Sequence, residues 1–310
     1  MKLNFDTIKS IAVGALTFKE EDGALWFDHY TDETIEKFKK LNDFWYKGAT
    51  CTTGVRLDFI TDASEVIACV AGAGKYEIRV NGLMTVSSAL KAGDQIKATL
   101  NGVENRVTLV LPSHSRGGII GLDLVGATLV KRTEFEKKAL FIGDSITQGW
   151  NARFDSGSYA YITSENLCAD TIIQGVGGMV YHKDLFDEHD FEPEIIVVAY
   201  GCNDFSQRES VEQLKDHAMQ FLSKLTARYP KAVKYGITPI WRQDDDVVKS
   251  MGTFTDCRNA VKDCLEAFNF AVVDGYTLVP HLAEYFADAV HPNDLGFAEM
   301  AKNLSRIIVK

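Results

Sequence analysis

A serine on a predicted turn is the first candidate for chemistry in this sequence. The block GDSIT (residues 143–147) follows the apolar run 139–142 directly, so Ser145 lies just beyond the carboxyl end of a predicted buried strand. A hydroxyl nucleophile needs such an exposed position. The block differs from the G-x-S-x-G elbow of α/β-hydrolases because Thr147 stands in place of the second glycine. Alone, it is also typical of a loop in which Asp144 and Ser145 cap the next helix.

A carboxylate and an imidazole form the second candidate. Asp288 precedes His291 by three residues, just before the last predicted helix. A carboxylate at this spacing can hold the tautomer of an imidazole while the other ring nitrogen acts as a general base. The same residues are compatible with a surface loop, or with a metal site that includes Asp204.

Two further blocks offer hydrogen-bond donors for developing negative charge. The glycine cluster GVGG (175–178) lets backbone N–H groups approach a ligand, as an oxyanion hole requires, although glycine runs are also common in tight turns. In GCND (201–204), the amide of Asn203 can donate to an oxyanion, although an Asx turn is an equally ordinary interpretation. Because all four blocks lie at predicted element ends, they favour nucleophilic catalysis over four unrelated loops.

The elements that must position these blocks alternate between strands and helices from about Lys137 onward. Continuous apolar runs predict strands buried on both faces, and the amphipathic stretches between them predict helices. This alternation predicts right-handed βαβ units and a parallel sheet, with functional residues at the carboxyl ends of its strands. The predicted strands are 139–142, 171–173, 195–199, 232–237 and 270–273, and the clearest helices are 211–229 and 295–309.

The first 135 residues have the pattern of an antiparallel β-sandwich. Residues 55–59 and 76–80 alternate strictly between apolar and polar side chains, and the Asn81-Gly82 pair that follows is typical of a hairpin turn. One helix is predicted near Thr31–Leu41, with Thr31 as its cap. We therefore expect two domains, residues 1–135 and residues 136–310, joined by a charged segment that lets them pack closely.

Composition excludes several classes of function. The chain has 310 residues and a formal net charge of −10, which argues against nucleic-acid or anionic-membrane partners. No apolar run approaches the ~18–20 residues of a transmembrane helix, and the first residues lack a secretory signal pattern. The six cysteines form no C-x-x-C pair and are expected to be free thiols, which predicts a cytoplasmic protein. No feature of the sequence indicates an oligomeric state.

The four blocks, in this order, resemble the motifs of the SGNH (GDSL) hydrolase family, with DAVH (288–291) as the last of them. The resemblance covers residues 138–310 and implies a flavodoxin-like three-layer α/β/α domain, ester hydrolysis, and no metal or other cofactor. The family's glycine block begins with Asn where this chain has Ile173, so Gly177 and Gly178 both stay open as the backbone oxyanion donor. The catalytic set implied by the resemblance is Ser145, Gly178, Asn203, Asp288 and His291.

A β-sandwich ahead of such a domain is similar to the architecture of two-domain carbohydrate esterases and implies a jelly-roll-like accessory domain. We expect a serine esterase that hydrolyses a short-chain ester, acetyl above all, on a small-molecule or oligosaccharide substrate. A lipase, thioesterase or lysophospholipase is the alternative enzyme. A glycan-binding protein with an inactive hydrolase domain is the alternative of another class. The predicted substrate-binding residues are Asp144, which would also brace the turn, and the aromatic Trp150, Tyr159 and Trp241, on whose faces sugar rings can lie.

Overall fold

The computed structural model describes residues 1–308, which form three β-sheets and nine α-helices in that part of the chain. Twelve strands precede the parallel sheet, and all their pairings are antiparallel. Their bounds are β1 (Lys2–Leu3), β2 (Ala12–Val13), β3 (Thr17–Glu21), β4 (Ala24–Asp28), β5 (Arg56–Thr61), β6 (Glu65–Val70), β7 (Gly74–Val80), β8 (Leu83–Leu90), β9 (Gln95–Thr99), β10 (Asn105–Val110), β11 (Gly118–Val125) and β12 (Val130–Arg132).

These strands form the predicted sandwich. One sheet has the order β3-β4-β11-β6-β9, with β1 paired to β11, and the other has the order β12-β5-β10-β7-β8, with β2 paired to β5. Alternating side chains such as Leu57, Val66 and Leu109 meet between the sheets and form one buried core. The predicted hairpin turn joins β7 to β8, and both of its residues, Asn81 and Gly82, have positive φ, at 50° and 80°.

The remaining strands form a five-stranded parallel sheet in the order β14-β13-β15-β16-β17. This is the flavodoxin-like order, and it confirms the predicted fold class. Every strand and helix predicted here exists, with ends that differ by at most two residues. Val309, the last residue of the final predicted helix, lies outside the described residues. The strand bounds are β13 (Lys137–Gly143), β14 (Ala169–Gly175), β15 (Ile195–Ala199), β16 (Val233–Ile237) and β17 (Ala271–Val273).

Helices cover both faces of the parallel sheet and complete three layers. The apolar run of β13 alternates between two cores, with Leu140 and Ile142 on one face and Ala139 and Phe141 on the other. Helices α7 and α8 pack on the first face, and α5 and α9 pack on the second. The helix bounds are α1 (Phe5–Ser10), α2 (Asp32–Leu41), α3 (Asp43–Ala49), α4 (Ser145–Gln148), α5 (Tyr159–Asn166), α6 (Asp204–Gln207), α7 (Val211–Arg228), α8 (Phe254–Ala267) and α9 (Asp294–Ile308).

Helices α2 and α3 come from the N-terminal region but pack into the core of the parallel-sheet region. The Thr31 side chain caps α2 as predicted, and the buried face of α2 carries Ile35 and Phe38. Both side chains belong to the same cluster as Val176 and Met179, which lie beside the glycine cluster after β14. The N-terminal region therefore reaches the edge of the sheet at which the predicted functional residues lie.

A buried ion cluster also connects the sandwich to the parallel-sheet region. Arg56 and Asp58 on β5 are fully buried, and Arg106 on β10 donates to Asp58 at 2.6 and 2.8 Å. Arg106 also donates to Glu165 on α5 at 2.9 and 3.0 Å. Paired carboxylates and guanidinium groups are required here because an unpaired buried charge is strongly destabilising. The two regions thus pack closely, as the charged connecting segment suggested.

All six cysteines are free within the described residues. No helix of residues 1–308 combines the length and the apolar character that crossing a membrane requires.

Candidate active site

Ser145 lies on a sharp turn between β13 and the short helix α4. Asp144 is the N-cap of α4 and accepts a hydrogen bond from the Ile146 N–H at 2.9 Å. Gly143 is required at the end of the strand because an added Cβ would lie 2.1 Å from Thr147 Oγ1 and 2.6 Å from the Ala199 carbonyl oxygen. The serine is therefore held at the carboxyl end of β13, with 6% of its surface exposed.

Ser145, His291 and Asp288 form a continuous chain of hydrogen bonds. Ser145 Oγ lies 2.8 Å from His291 Nε2, and His291 Nδ1 lies 2.9 Å from Asp288 Oδ2 and 3.1 Å from Oδ1. A carboxylate can only accept, so Nδ1 carries the proton and Nε2 is left as the acceptor that faces the serine hydroxyl. This tautomer is the one a general base for Ser145 requires.

The carboxylate of Asp288 is fixed by the loop that carries His291. Its Oδ1 accepts from the backbone N–H groups of Val290 at 2.8 Å and His291 at 2.7 Å, and its Oδ2 accepts from Asn151 Nδ2 at 2.9 Å. Partial burial raises the pKa of Asp288, but the hydrogen bonds from His291 and Val290 outweigh it and hold the pKa below its ordinary value. Asp288 is therefore ionised when His291 needs a negative partner.

The two predicted donor blocks flank the nucleophile. Gly143 pairs in register with Gly175 on one side and with Ala199 on the other, so the blocks after β14 and β15 both lie beside Ser145. Asn203 donates one amide hydrogen to the Met179 carbonyl oxygen at 3.0 Å. A side-chain amide has two donors, so the second N–H of Asn203 is available for an oxyanion.

The hydrogen bonds of the glycine cluster separate Gly178 from Gly177. The N–H of Gly177 donates to Gln148 Oε1 at 2.8 Å and is buried. The N–H of Gly178 has no acceptor among residues 1–308, and Gly178 has a positive φ of 73° that suits glycine. Gly178, and not Gly177, is therefore the glycine whose N–H is left without a protein acceptor.

Gln148 is a buried residue that the sequence analysis missed. While its Oε1 accepts from the N–H of Gly177, its Nε2 donates to the Ser113 carbonyl oxygen at 2.8 Å. Ser113 lies between β10 and β11, and its own N–H donates to the buried Asp155 at 3.0 Å. One side chain thus connects the nucleophile's helix, the glycine cluster and the sandwich. The sequence could have indicated Gln148 by its position three residues after Ser145, because residues three apart lie on the same face of a helix.

Two of the predicted substrate-binding residues are enclosed beneath the turn. Asp144 is 2% exposed and its side chain caps α4, so it braces the turn and cannot reach a bound substrate. Burial, with a smaller effect of the Asp204 charge, raises the pKa of Asp144 to about 7. Tyr159 is fully buried and its hydroxyl lies 2.8 Å from Thr147 Oγ1. The expectation that Asp144 and Tyr159 contact substrate was wrong, because periodicity does not reveal which side of a turn faces the core.

The two tryptophans differ in their surroundings. Trp150 is 36% exposed, and its ring centroid lies 6.3 Å from that of His291 and 5.2 Å from that of His114. It lines a cavity of about 180 Å³ together with Gly177 and Gln148. Trp241 instead stacks on His281 at 5.4 Å and packs edge-on against Phe286. Trp150 is therefore placed to meet a substrate, whereas Trp241 has a packing environment.

Two other residues near the site, Asp204 and Cys202, have structural roles. Asp204, which a metal site would need, is fully buried, accepts from the Tyr181 N–H at 3.2 Å and pairs with Arg208. Within residues 1–308, no three or more His, Cys, Asp or Glu side chains converge as metal ligands do. Cys202 is buried and its burial raises the pKa of the thiol, so it is not a thiolate nucleophile.

Comparison with solved structures shows the same fold over nearly the whole chain. "Salicylyl-Acyltransferase SsfX3 from a Tetracycline Biosynthetic Pathway" is 17% identical, with a TM-score of 0.81 over 96% of this chain and 93% of that one. A family two carbohydrate esterase from Cellvibrio japonicus is 17% identical, with a TM-score of 0.70 over 97% and 95%. One from Clostridium thermocellum in complex with cellohexaose is 19% identical, with a TM-score of 0.67 over 96% and 98%.

No curated protein sequence matches this chain. The sequence model of the GDSL-like Lipase/Acylhydrolase family matches residues 141–298, slightly more than half of the chain and the segment that contains all four motif blocks. The chain therefore belongs to the GDSL-like lipase/acylhydrolase family of ester hydrolases.

Proposed function

We propose that this protein is a serine esterase that removes a short acyl group, such as acetyl, from a hydroxyl group of a carbohydrate. The observation that carries the proposal is the hydrogen-bonded chain from Ser145 Oγ to His291 Nε2 at 2.8 Å and from His291 Nδ1 to Asp288 at 2.9 Å. The side chains that form it lie beside three hydrogen-bond donors without a protein acceptor among residues 1–308, namely the N–H groups of Ser145 and Gly178 and one amide N–H of Asn203.

In the first half of the reaction, Ser145 Oγ attacks the ester carbonyl carbon while His291 Nε2 takes the hydroxyl proton. The C=O bond becomes a single bond, and its oxygen carries the negative charge. Three donors are available for this oxyanion: the N–H groups of Ser145 and Gly178 and the free amide N–H of Asn203. Loss of one such donor typically costs ~3–4 kcal/mol in the transition state. His291 Nε2 then gives its proton to the leaving alkoxide, and the alcohol departs from the acyl-enzyme.

In the second half, water replaces the alcohol. His291 Nε2 takes a proton from the water as its oxygen attacks the acyl carbon, and the same three donors bind the second oxyanion. The bond to Ser145 Oγ breaks, the serine recovers its proton from His291, and the carboxylic acid leaves. Asp288 stays ionised and orients the imidazole throughout. Each step uses groups of this chain and water only.

The proposal that the alcohol is a carbohydrate rests on architecture. The carbohydrate esterases compared above have the same arrangement of sandwich and α/β regions, and one of them is described in complex with cellohexaose. Trp150 offers an exposed aromatic face within 6.3 Å of the His291 ring centroid, which suits a sugar ring. Because fold likeness is a poor guide to substrate, lipase, thioesterase and lysophospholipase activities are the rivals to test.

The test compares wild type with Ser145→Ala on four substrates of equal concentration: acetylated oligosaccharides, p-nitrophenyl acetate, an acyl thioester and a lysophospholipid. We expect Ser145-dependent release of acetate from the first two and turnover of the others at background rates. Ser145-dependent turnover of the thioester or lysophospholipid alone would replace the carbohydrate assignment. Glycan binding without any Ser145-dependent turnover would replace the enzyme with a binding protein.

A further inference from the structure

A largely apolar cavity of about 180 Å³ lies beside Gly177, next to the proposed oxyanion donor Gly178. Both regions of the chain contribute to its lining. The N-terminal region contributes Phe44 on α3 and the buried Cys51, together with His114 from the loop after β10. The α/β region contributes Trp150 and Gly177. Burial raises the pKa of the Cys51 thiol to about 12, so this thiol is neutral. Lys47, Gly48 and Gln148 complete the lining. The cavity does not belong to the catalytic chain of Ser145, His291 and Asp288.

The cavity borders Gly177, the residue directly before the proposed oxyanion donor Gly178. A Cβ on Gly178 would lie 3.1 Å from Phe44 Cε1, and a Cβ on Gly177 would lie 3.5 Å from Trp150 Cζ3. The two aromatic rings therefore flank the glycine pair. Helix α3 can come this close because Gly48 has no side chain: a Cβ there would lie 2.9 Å from Val176 Cγ1.

We propose that this cavity binds the acyl group of the ester and that Phe44 of the N-terminal region supplies an apolar wall that larger acyl groups contact. This inference rests on the proposed esterase function and extends it. A carbohydrate would place hydroxyl groups against walls that offer them few partners, and a buried polar group without a hydrogen bond is costly. A hydrocarbon group loses nothing by entering, and it gains from leaving water.

The size of the cavity sets the class of acyl group. A protein cavity of about 150 Å³ lined by apolar side chains accommodates benzene. Acetyl, with one methyl group, fills only part of a space of about 180 Å³. The cavity admits straight acyl groups of about six carbons and the benzoyl group. The enzyme therefore accepts acetyl and also accepts longer or aromatic acyl groups up to about this size.

The experiment varies the acyl group at constant alcohol, with p-nitrophenyl acetate, hexanoate and benzoate. The variants are Phe44→Ala, which removes one wall, Cys51→Leu, which fills the cavity, and the control Leu41→Ala. Phe44 and Leu41 are similarly exposed, at 54% and 47%, and lie on neighbouring helices, but Leu41 does not line the cavity. In wild type and Leu41→Ala we expect Ser145-dependent turnover of all three esters, with kcat/KM for hexanoate and benzoate no lower than that for acetate.

In Phe44→Ala and Cys51→Leu we expect kcat/KM for hexanoate and benzoate to fall by about tenfold, and that for acetate to change less than about twofold. A second series keeps the acetyl group and varies the alcohol, with methyl, phenyl and naphthyl acetate. The assignment would be overturned if the two variants lost kcat/KM equally for all acyl groups, lost none, or lost it only in the series that varies the alcohol. If wild type shows no Ser145-dependent turnover of any ester, the proposed function itself fails. If Ser145-dependent turnover is present but Phe44→Ala and Cys51→Leu leave the dependence of kcat/KM on the acyl group unchanged, only the assignment of the acyl pocket fails.

Discussion

The buried side chain of Gln148 offers a sharp test of how the oxyanion site is held. Substitution by Met keeps an unbranched side chain of similar length but removes both hydrogen bonds. The N–H of Gly177 loses its acceptor at 2.8 Å, and the Ser113 carbonyl oxygen loses its donor at 2.8 Å. Because Gly178 follows Gly177 directly, its N–H should lose its fixed direction. Gln148 acts here as a positioning residue, because its amide binds the glycine cluster and Ser113 and not the reacting atoms.

The expected magnitude is bounded by the value of one oxyanion donor. Complete loss of such a donor costs about 10²–10³ in kcat. Gln148→Met disturbs the direction of the Gly178 N–H without deleting it, so we expect kcat/KM to fall by about 10–100-fold, or ~1.4–2.8 kcal/mol. We expect KM to change less than about threefold, because the donor matters most when negative charge develops.

A matched control separates this effect from a loss of stability. Gln174 is also a buried glutamine, and its Nε2 donates to the His29 carbonyl oxygen at 3.1 Å and to Asp187 at 2.8 Å. Its side chain therefore connects the same two regions without a hydrogen bond to the glycine cluster, although Gln174 directly precedes Gly175. Each variant leaves buried polar groups unpaired, at ~1–3 kcal/mol for each group, so both should lower the free energy of unfolding.

The assay measures kcat and KM with p-nitrophenyl acetate, together with the affinity for a trifluoromethyl ketone that forms a tetrahedral adduct with serine. Gln148→Met should lose kcat/KM and inhibitor affinity by the same factor, while Gln174→Met should keep both. Equal losses of kcat/KM in the two variants, or a loss of thermal stability alone in Gln148→Met, would refute the positioning role.

Three further predictions concern individual residues. Asn203→Ala should lower kcat/KM by about 10²–10³ with little change in KM, measured on the same ester; a change in KM alone would contradict its role as a donor. Asp288→Asn should lower kcat by about 10²–10³, less than for a fully buried carboxylate because 47% of the Asp288 side chain is exposed, and unchanged kcat would exclude it from the triad. Because the pKa of Asp144 is raised to about 7 in the folded protein, the folded state binds more protons than the unfolded state, and stability falls as pH rises from about 4 to 7. Asn does not ionise, so Asp144→Asn should avoid up to about 4 kcal/mol of this loss in the free energy of unfolding. In urea unfolding, the stability of the variant relative to wild type should therefore increase from about pH 4 to about pH 7. A stability difference that stays constant over this range would contradict the raised pKa.

The parallel sheet and its motif blocks could be predicted from local patterns. Continuous apolar runs such as 139–142 indicate strands buried on both faces, and the turns that follow such strands must share one edge. Which element packs against the apolar face of a helix or strand cannot be predicted from local patterns. Ile35 and Phe38 show that α2 has a buried face, but not that this face packs against the parallel-sheet region.

The same reason explains what local patterns could not show. The alternation of residues 55–59 does not reveal that Arg56 and Asp58 are fully buried where the α/β region covers that sheet. Phe44 gives no signal of its place beside Gly178, because more than a hundred residues of chain separate them. The cytoplasmic location and the boundary between residues 135 and 136 stay predictions.

The central claim is that Ser145 is the nucleophile of an ester hydrolase, and covalent labelling tests it most directly. Wild type, Ser145→Ala and His291→Ala would be treated with a fluorophosphonate, and the adduct would be located by peptide mass spectrometry while ester hydrolysis is followed in parallel. The account predicts a single adduct on Ser145, loss of activity in proportion to labelling, slow labelling in His291→Ala and none in Ser145→Ala. An adduct on another residue, or full ester hydrolysis by fully labelled protein, would contradict it.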